Sequence, residues 1–121
     1  MKPLMLEDCS KMTEAEVLAD FAGEWQADPG EVAGFKVLIA YCSVGDYGCD
    51  SSAWYLLKKG RELFEVHGSH CSCMGFEGQF SPEKTTKAYL KSDKFSFSCG
   101  GYDGCAAGNK QAAKDWIAAN L

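Results

Sequence analysis

The chain has 121 residues, of which 46% are hydrophobic, and a formal net charge of −5 at pH 7. At this length folding removes roughly two thirds of the unfolded chain's surface from water, so one domain can build a core without disulfides or metals. No apolar stretch approaches the ~20 residues of a membrane-spanning helix. Because the start, MKPLMLEDCS, lacks the apolar run of a secretion signal and the 7 cysteines are an odd number, we expect a cytoplasmic protein.

The N-terminal part of the chain carries most of the negative charge. Up to residue 31 there are eight carboxylates and two lysines, a net −6, which leaves +1 for the remainder. Residues 1–12 show no clear period, and we predict an extended or loosely held lead-in. Thr13 and Glu16 then form a capping-box pattern ahead of an apolar stripe with helical spacing. A helix is therefore predicted over residues 14–25.

The middle of the chain is predicted to be β-structure. A turn predicted over residues 27–34 (ADPGEVAG) separates it from the first helix, because Asp-Pro-Gly interrupts helical structure. Residues 35–42 (FKVLIAYC) are apolar at nearly every position, which indicates an interior strand covered on both faces. Residues 51–58 and 61–68 are predicted to form a hairpin around Lys59-Gly60.

The register of this hairpin has two alternatives. A two-residue loop places Trp54 opposite Glu65, whereas a three-residue loop with a glycine bulge places it opposite Phe64. In both alternatives His67 lies on the same face as Leu63 and Glu65, because side chains alternate along a strand with a period of two.

Two more helices and one more strand are predicted in the last third of the chain. Residues 81–90 begin with Ser-Pro, a helix-start signal, and residues 95–99 (FSFSC) alternate as a half-exposed strand. Asn109 is predicted to cap a C-terminal helix. The order of elements indicates an α+β fold: a single small domain over residues 1–121, with a mainly antiparallel sheet, a central hairpin and two to three packed helices.

Residues 67–81 contain both histidines of the chain and two of its 7 cysteines. No helical or strand period continues through them, so we predict a long irregular loop, and such loops are usually functional. Zinc takes four ligands from thiolate and imidazole, and His67, His70, Cys71 and Cys73 could supply them. Since no CxxC pair is present, a chain without zinc or any other cofactor is the preferred alternative.

The same four residues could instead support nucleophilic catalysis. A thiolate at Cys71 or Cys73 would need His67 or His70 as a base, and Glu65 or Asp103 could orient that imidazole. A position at the start of a helix would lower the pKa of a cysteine, but neither Cys71 nor Cys73 begins a predicted helix. A small-ligand pocket among the glycine-rich loops is a further alternative. With no phosphate-binding loop or recognisable catalytic set, a protein without enzymatic activity is the preferred interpretation.

Protein binding is the function class that the sequence favours. The acids Glu14, Glu16 and Asp20 of the predicted first helix could face a basic surface on a partner, and the same charge repels nucleic acid. Tyr47 and Phe76 lie in predicted loops, where aromatic side chains make good interface anchors. A monomer and a homodimer both fit the sequence, and we expect no membrane contact.

The motif GSHCSCMGFEGQFSPEKTT, with YCSVGDYGCDSSAW before it, resembles a family of small proteins carried by tailed bacteriophages and prophages. In that family a strand enters a GSHCSC loop and an EGQ-aromatic-x-PE segment follows. Here Met74 stands where an aromatic residue is expected, and Lys84 where an acid is expected. The resemblance covers residues 37–90. It brings no particular activity, and it implies an accessory protein made in the cytoplasm of an infected or lysogenic bacterium.

Small acidic phage accessory proteins often bind and disable host or defence machinery. By this association we expect a stoichiometric protein-binding inhibitor of a host or bacterial immune protein, such as a CRISPR surveillance complex, which would make the chain an anti-CRISPR-like protein.

Overall fold

Two apolar segments in the middle of the chain form the centre of a five-stranded sheet in the computed structural model, which describes residues 2–43, 51–70, 75–97 and 106–121. The strands are β1 (Leu4–Glu7), β2 (Lys36–Ser43), β3 (Ser51–Lys59), β4 (Glu62–His70) and β5 (Glu83–Thr85). The helices are α1 (Glu14–Ala22), α2 (Pro29–Val32), α3 (Lys87–Leu90) and α4 (Ala106–Asn120), and a 3₁₀ helix covers Asp8–Lys11. The predicted single-domain α+β fold with a mainly antiparallel sheet is confirmed.

The strands lie in the order β1-β2-β3-β4-β5. β1 runs parallel to β2, with Leu4 beside Ile39, and the other neighbouring strands are antiparallel. The beginning of the chain is therefore extended, one of the two predicted alternatives, and pairing with β2 holds it in the sheet. Cys9, in the 3₁₀ helix that follows β1, is completely buried.

Helices cover both faces of the sheet. One core lies beneath α1 and α2 and includes Phe21 and Trp25, and the other lies beneath α3 and α4 and includes Trp54 and Ile117. Burying a side chain such as Phe21 contributes about 1.5–3 kcal/mol of transfer free energy. Residues 37–41 of β2 are all buried, which confirms the prediction of an interior strand.

A β-bulge interrupts the alternation of side chains along β2. The register between β2 and β3 shifts between Val37 and Ile39. Leu38 and Ile39 both belong to the core beneath α3 and α4, whereas Val37 and Ala40 belong to the core beneath α1 and α2. The inserted residue explains why two consecutive side chains face the same core.

The hairpin of β3 and β4 is confirmed, but both predicted registers are wrong. Trp54 pairs with His67, and neither Glu65 nor Phe64 is its partner. The true register differs from the first alternative by two residues, so each side chain keeps its predicted face. His67 lies on the same face as Leu63 and Glu65, as predicted.

The turn explains this shift in register. The loop is Gly60-Arg61 rather than Lys59-Gly60, since Lys59 still pairs with Glu62. Gly60 has a φ of 63°, and glycine at the first loop position is what a type II′ turn requires. β4 also continues to its end at His70, so the irregular loop predicted from residue 67 begins later.

α1 begins with the predicted capping box. Thr13 Oγ1 accepts a hydrogen bond from the Glu16 amide at 3.2 Å, and Glu16 Oε1 accepts one from the Thr13 amide at 3.0 Å. The helix ends at Ala22, before the predicted end at Trp25, because Gly23 leaves helical geometry. Trp25 is nevertheless buried in the core, as its place in the apolar stripe indicates.

The predicted helix over residues 81–90 is wrong in its first half. Glu83–Thr85 forms β5 along the outer edge of β4, and α3 follows with Thr86 as its N-cap. Thr86 Oγ1 accepts a hydrogen bond from the Tyr89 amide at 3.1 Å. The edge of β4 presents N–H and C=O groups that an added strand can pair, and this outweighs the local Ser-Pro signal.

The alternation of residues 95–97 is confirmed, but the predicted strand is not found among them. Phe95 and Phe97 are buried and Ser96 is exposed, yet these residues pair with no strand of the described sheet. The ring of Phe97 stacks on Trp54 with 4.5 Å between ring centroids. Aromatic packing therefore holds this segment, and Cys99 lies outside the described residues.

Asn109 is not the cap of the last helix. α4 already begins at Ala106, and Asn109 lies inside it as a buried residue. Its Nδ2 donates a hydrogen bond to Glu7 Oε1 at 2.9 Å, which joins α4 to the end of β1. None of the helices in the described part of the chain is long and apolar enough to cross a membrane.

Candidate functional site

The second half of β4 places a histidine beside a buried carboxylate. Strand alternation puts Glu65 and His67 on one face, and Glu65 Oε1 lies 3.6 Å from His67 Nε2. The Glu65 side chain is 9% exposed, whereas that of His67 is 44% exposed. The imidazole therefore reaches solvent while its carboxylate partner does not.

Trp54 holds the carboxylate from the neighbouring strand. Its Nε1 donates a hydrogen bond to Glu65 Oε1 at 3.0 Å, and its ring is completely buried. Burial alone would raise the pKa of Glu65, but the nearby imidazole of His67 and hydrogen bonds from Trp54 and Thr85 outweigh burial and hold that pKa below its usual value. Glu65 is therefore ionised at neutral pH and can orient the imidazole of His67.

Gly68 lets two aromatic rings approach the other face of β4. A Cβ at this position would overlap the ring of Trp25 and would lie 2.9 Å from Cδ1 of Phe76. The two rings stack with 4.5 Å between centroids and 4° between planes. Phe76 is thereby packed on the protein's own core, and a side chain at residue 68 would disturb this packing.

The side chain of Gln79 joins the end of β4 to the segment that follows residues 71–74. Its Oε1 accepts a hydrogen bond from the Ser69 amide at 3.0 Å, and its Nε2 donates to the Ser69 carbonyl at 2.8 Å. Nε2 also donates to the Gly75 carbonyl at 3.1 Å, and a carboxylate oxygen of Glu77 accepts from the Gly75 amide at 2.9 Å. One amide side chain thus holds both sides of this segment together.

The structure brings together only part of the predicted site. His67 and Glu65 form the pair described above, which identifies the acid that could orient a catalytic imidazole. His70 is described through its backbone in β4, and Cys71 and Cys73 lie outside the described residues. Among the residues that are described, no three metal-ligating side chains come together. The zinc site and the catalytic thiol therefore remain predictions.

Three of the predicted partner-binding residues have contacts within the protein. Glu14 Oε1 accepts a hydrogen bond from the Val37 amide at 3.1 Å, which joins α1 to β2. Glu16 completes the capping box, and Phe76 packs on the core as described. These contacts stabilise the fold, although Glu16 is also exposed to solvent.

Asp20 belongs to an uncompensated cluster of charge. Partial burial, and then repulsion from Glu24 and Glu16, raise its pKa above the usual value for an aspartate. The last turn of α1 has no basic residue, and the ion pairs among the described residues involve none of these acids. We call Glu16, Asp20 and Glu24 the acidic patch. Tyr47, the remaining partner-binding candidate, lies outside the described residues.

A pair of core thiols was missed by the sequence analysis. Cys9 and Cys42 are both free, and the parallel pairing of β1 with β2 brings their segments together. A hydrogen bond to Cys42 and burial raise the pKa of Cys9, and burial raises that of Tyr55 beside it. Cys9 and Tyr55 are therefore protonated at neutral pH, which makes Cys9 a poor nucleophile.

Two residues of the site were not identified from sequence. The correct hairpin register would have placed the indole of Trp54 near Glu65, since the two side chains then lie on one face of neighbouring strands. Gln79 belongs to the EGQ part of the distinctive motif, but no period or spacing in the sequence relates it to Ser69.

Comparison with protein-family models, curated proteins and solved structures finds no match to this chain. The function is therefore argued from the geometry above and from the sequence.

Proposed function

We propose that this protein binds a basic surface on a partner protein through the acidic patch, and that it inhibits that partner stoichiometrically. The observation that carries the proposal is the spacing of Glu16, Asp20 and Glu24 at intervals of four residues, with none of them in the ion pairs of the described residues. The pKa of Asp20, which is raised first by burial and then by repulsion from Glu24 and Glu16, agrees with this clustering of charge. Like charges one helical turn apart destabilise a helix by about 0.2–0.5 kcal/mol per pair. A cationic partner would relieve this repulsion, so the patch suits binding better than it suits folding.

The chemistry of the partner follows from the sign of the charge. An acidic protein surface is repelled by a nucleic-acid backbone and attracted to the basic grooves that bind nucleic acid. With the resemblance to phage accessory proteins, this favours a host or bacterial immune protein that handles nucleic acid, such as a CRISPR surveillance complex. The inhibitor would act in the cytoplasm of the infected or lysogenic bacterium by occupying such a groove.

The first test measures association with a purified CRISPR surveillance complex at several salt concentrations. Glu16→Gln, Asp20→Asn and Glu24→Gln are combined in one variant, and glutamine at residue 16 preserves the capping box. Because this variant loses charge steering, it should associate about 10-fold or more slowly than wild type at low salt. The difference should shrink as the salt concentration rises.

A matched control removes the same charge elsewhere. Glu31→Gln, Glu83→Gln and Asp93→Asn neutralise three exposed acids outside the patch. This variant should associate at nearly the wild-type rate and inhibit target-DNA binding at one molecule per complex. Equal slowing of both triple variants, or binding that does not respond to salt, would contradict the proposal.

A cysteine-dependent hydrolase or transferase is the second candidate, and the Glu65–His67 pair favours it. A nucleophile needs a base whose orientation is set by a third group, and Glu65 holds His67 in this way. The strand that carries this pair continues directly toward Cys71 and Cys73.

Alkylation with iodoacetamide near neutral pH tests the second candidate. Catalysis requires that Cys71 or Cys73 reacts faster than buried Cys9, and that His67→Ala slows this reaction. Equal slow labelling of every cysteine would exclude an activated thiol.

A further inference from the structure

Lys36 and Lys58 face one another across the sheet where β2 begins and β3 ends. They are direct partners in the antiparallel register, which places their Cβ atoms about 4.5–5.5 Å apart. Like charges in this arrangement destabilise a sheet. Neither lysine takes part in the ion pairs formed by the described residues, although the chain contains 17 acids. The repulsion between these two cations therefore lowers the stability of the sheet.

Two cavities open beside this pair, and both are lined by Lys36 and Lys58. One has a volume of about 280 Å³ and is also lined by Gly34 and Gly60, which present backbone without side chains. The other has a volume of about 300 Å³, close to the lower limit for small-molecule sites, and Leu38 is part of its wall. Lys36 and Lys58 therefore line both cavities, one beside the backbone of two glycines and one beside Leu38 and Leu121.

The acid at this site is not ion-paired with the lysines. Glu14 lines the larger cavity, and its Oε1 is held against β2 by a hydrogen bond that it accepts from the Val37 amide at 3.1 Å. No ion pair within 4.0 Å joins Glu14 to Lys36 or Lys58 in the described structure. The ammonium groups remain available to an external anion.

We propose that Lys36 and Lys58 bind the phosphate group of a small phosphorylated molecule, whose apolar part would lie along Leu38 and Leu121. Lysine is a common phosphate ligand because its ammonium group is a compact point charge on a flexible stem. The site lies at the hairpin end of the sheet, and neither cavity is lined by a residue of the acidic patch. The proposal is therefore independent of the function proposed above.

The test is thermal unfolding with increasing inorganic pyrophosphate, with sodium chloride adjusted to keep the ionic strength constant. A ligand that binds only the folded state raises Tm in a saturable way. Wild-type protein should show such a rise, and an equal rise with methyl phosphate would show that one phosphate group is sufficient. A wild-type Tm that does not change, or that rises without saturation, would overturn the proposal.

Variants separate a site from a general charge effect. Lys36→Gln and Lys58→Gln should each abolish most of the rise in Tm, and each should start from a higher Tm than wild type because the repulsion is removed. Lys87→Gln removes an exposed lysine of α3 and should keep the full rise. Lys58→Arg keeps the charge and should also keep the rise. A rise of equal size in Lys36→Gln and in wild type would overturn the assignment.

Discussion

Gly68 shows that a residue of the distinctive sequence motif can be required by packing. The residue lies in the strand that runs into Cys71 and Cys73, and a Cβ there would meet Trp25 and Phe76. The glycine was grouped with a functional loop from sequence, but its reason is steric. Together with the hydrogen bonds of Gln79 it fixes how the segment from residue 75 packs against the end of β4.

Gly68→Ala should destabilise the protein by about 1–3 kcal/mol, because the added methyl group overpacks the stacked rings. The free energy of unfolding in urea, followed by tryptophan fluorescence, measures this loss. Gly108→Ala is the matched control, since a Cβ there meets nothing within 4 Å and alanine favours the helix. The control should be neutral or up to about 1 kcal/mol more stable. Equal effects at both positions would contradict the steric explanation.

Glu65→Gln should change how stability depends on pH. The folded state holds the pKa of Glu65 below its unfolded value of about 4.3, so the stability from this group is full above that pH and is lost as pH falls through the folded pKa. At pH 7 the variant should be about 1–3 kcal/mol less stable than wild type.

Urea unfolding at a series of pH values from 7 to 3 measures this effect. The difference between Glu65→Gln and wild type should shrink as the pH falls, whereas exposed Glu31→Gln should follow the wild-type curve throughout. A constant difference at all pH values would show that Glu65 does not stabilise through its charge.

Residue contacts were predictable from sequence where a period determined them. The period of two was sufficient to place Glu65 and His67 on one face. The hydrogen bond from Trp54 was not predictable, because it depends on the hairpin register. The register predicted from the position of the glycine was in error by two residues. The contacts of Gln79 were beyond prediction for a related reason, since no local period relates Gln79 to Ser69, ten residues earlier.

At the scale of elements, capping signals were reliable only where tertiary pairing did not compete with them. Thr13 and Glu16 predicted the start of α1 correctly, because nothing else pairs with that segment's backbone. The Ser-Pro signal before residue 83 failed, since the open edge of β4 recruits residues 83–85 as a strand. The true cap, Thr86, also has a side-chain hydroxyl but lacks the following proline.

Asp20→Asn should stabilise α1 at neutral pH. The pKa of Asp20 is raised in the folded state, so ionised Asp20 opposes folding, and the stability linked to its protonation is lost as pH rises through that pKa. The variant should gain about 0.2–0.5 kcal/mol at pH 7, and this gain should vanish near pH 3.

Differential scanning calorimetry at both pH values checks the sign of this change. Exposed Asp93→Asn is the control and should leave Tm nearly unchanged. A lower Tm for Asp20→Asn at pH 7 would mean that the acidic patch contributes to folding, which would remove the main support for its role in binding.

At the scale of the whole molecule, the fold class followed from the order of elements, but the topology did not. The apolar run in β2 indicated a strand covered on both faces, which requires helices on both sides of the sheet. The parallel pairing of β1 was not predicted, since Leu4–Glu7 is too short to show a period and its partner begins at Lys36. Long-range pairing of this kind leaves no local signal.

Asn109→Ala should weaken the whole fold, because Asn109 joins α4 to the end of β1 across 102 residues of sequence. Loss of this hydrogen bond should lower the free energy of unfolding by about 0.5–1.5 kcal/mol. Asn120→Ala removes an exposed asparagine that bonds within α4, and it should change stability by less than about 0.5 kcal/mol. Urea unfolding measures both, and equal effects would contradict a special role for Asn109.

The position of α4 in the sequence also affects how the protein folds during its synthesis. The core that contains Trp54 and Leu56 is closed by Ala113 and Ile117, which leave the ribosome after all five strands. Until then the nascent chain exposes one apolar face of a nearly complete sheet, a surface prone to aggregation. A chain that is truncated before residue 113 would therefore be prone to aggregation. The nascent chain would need a chaperone most in the interval between the synthesis of β5 and that of α4.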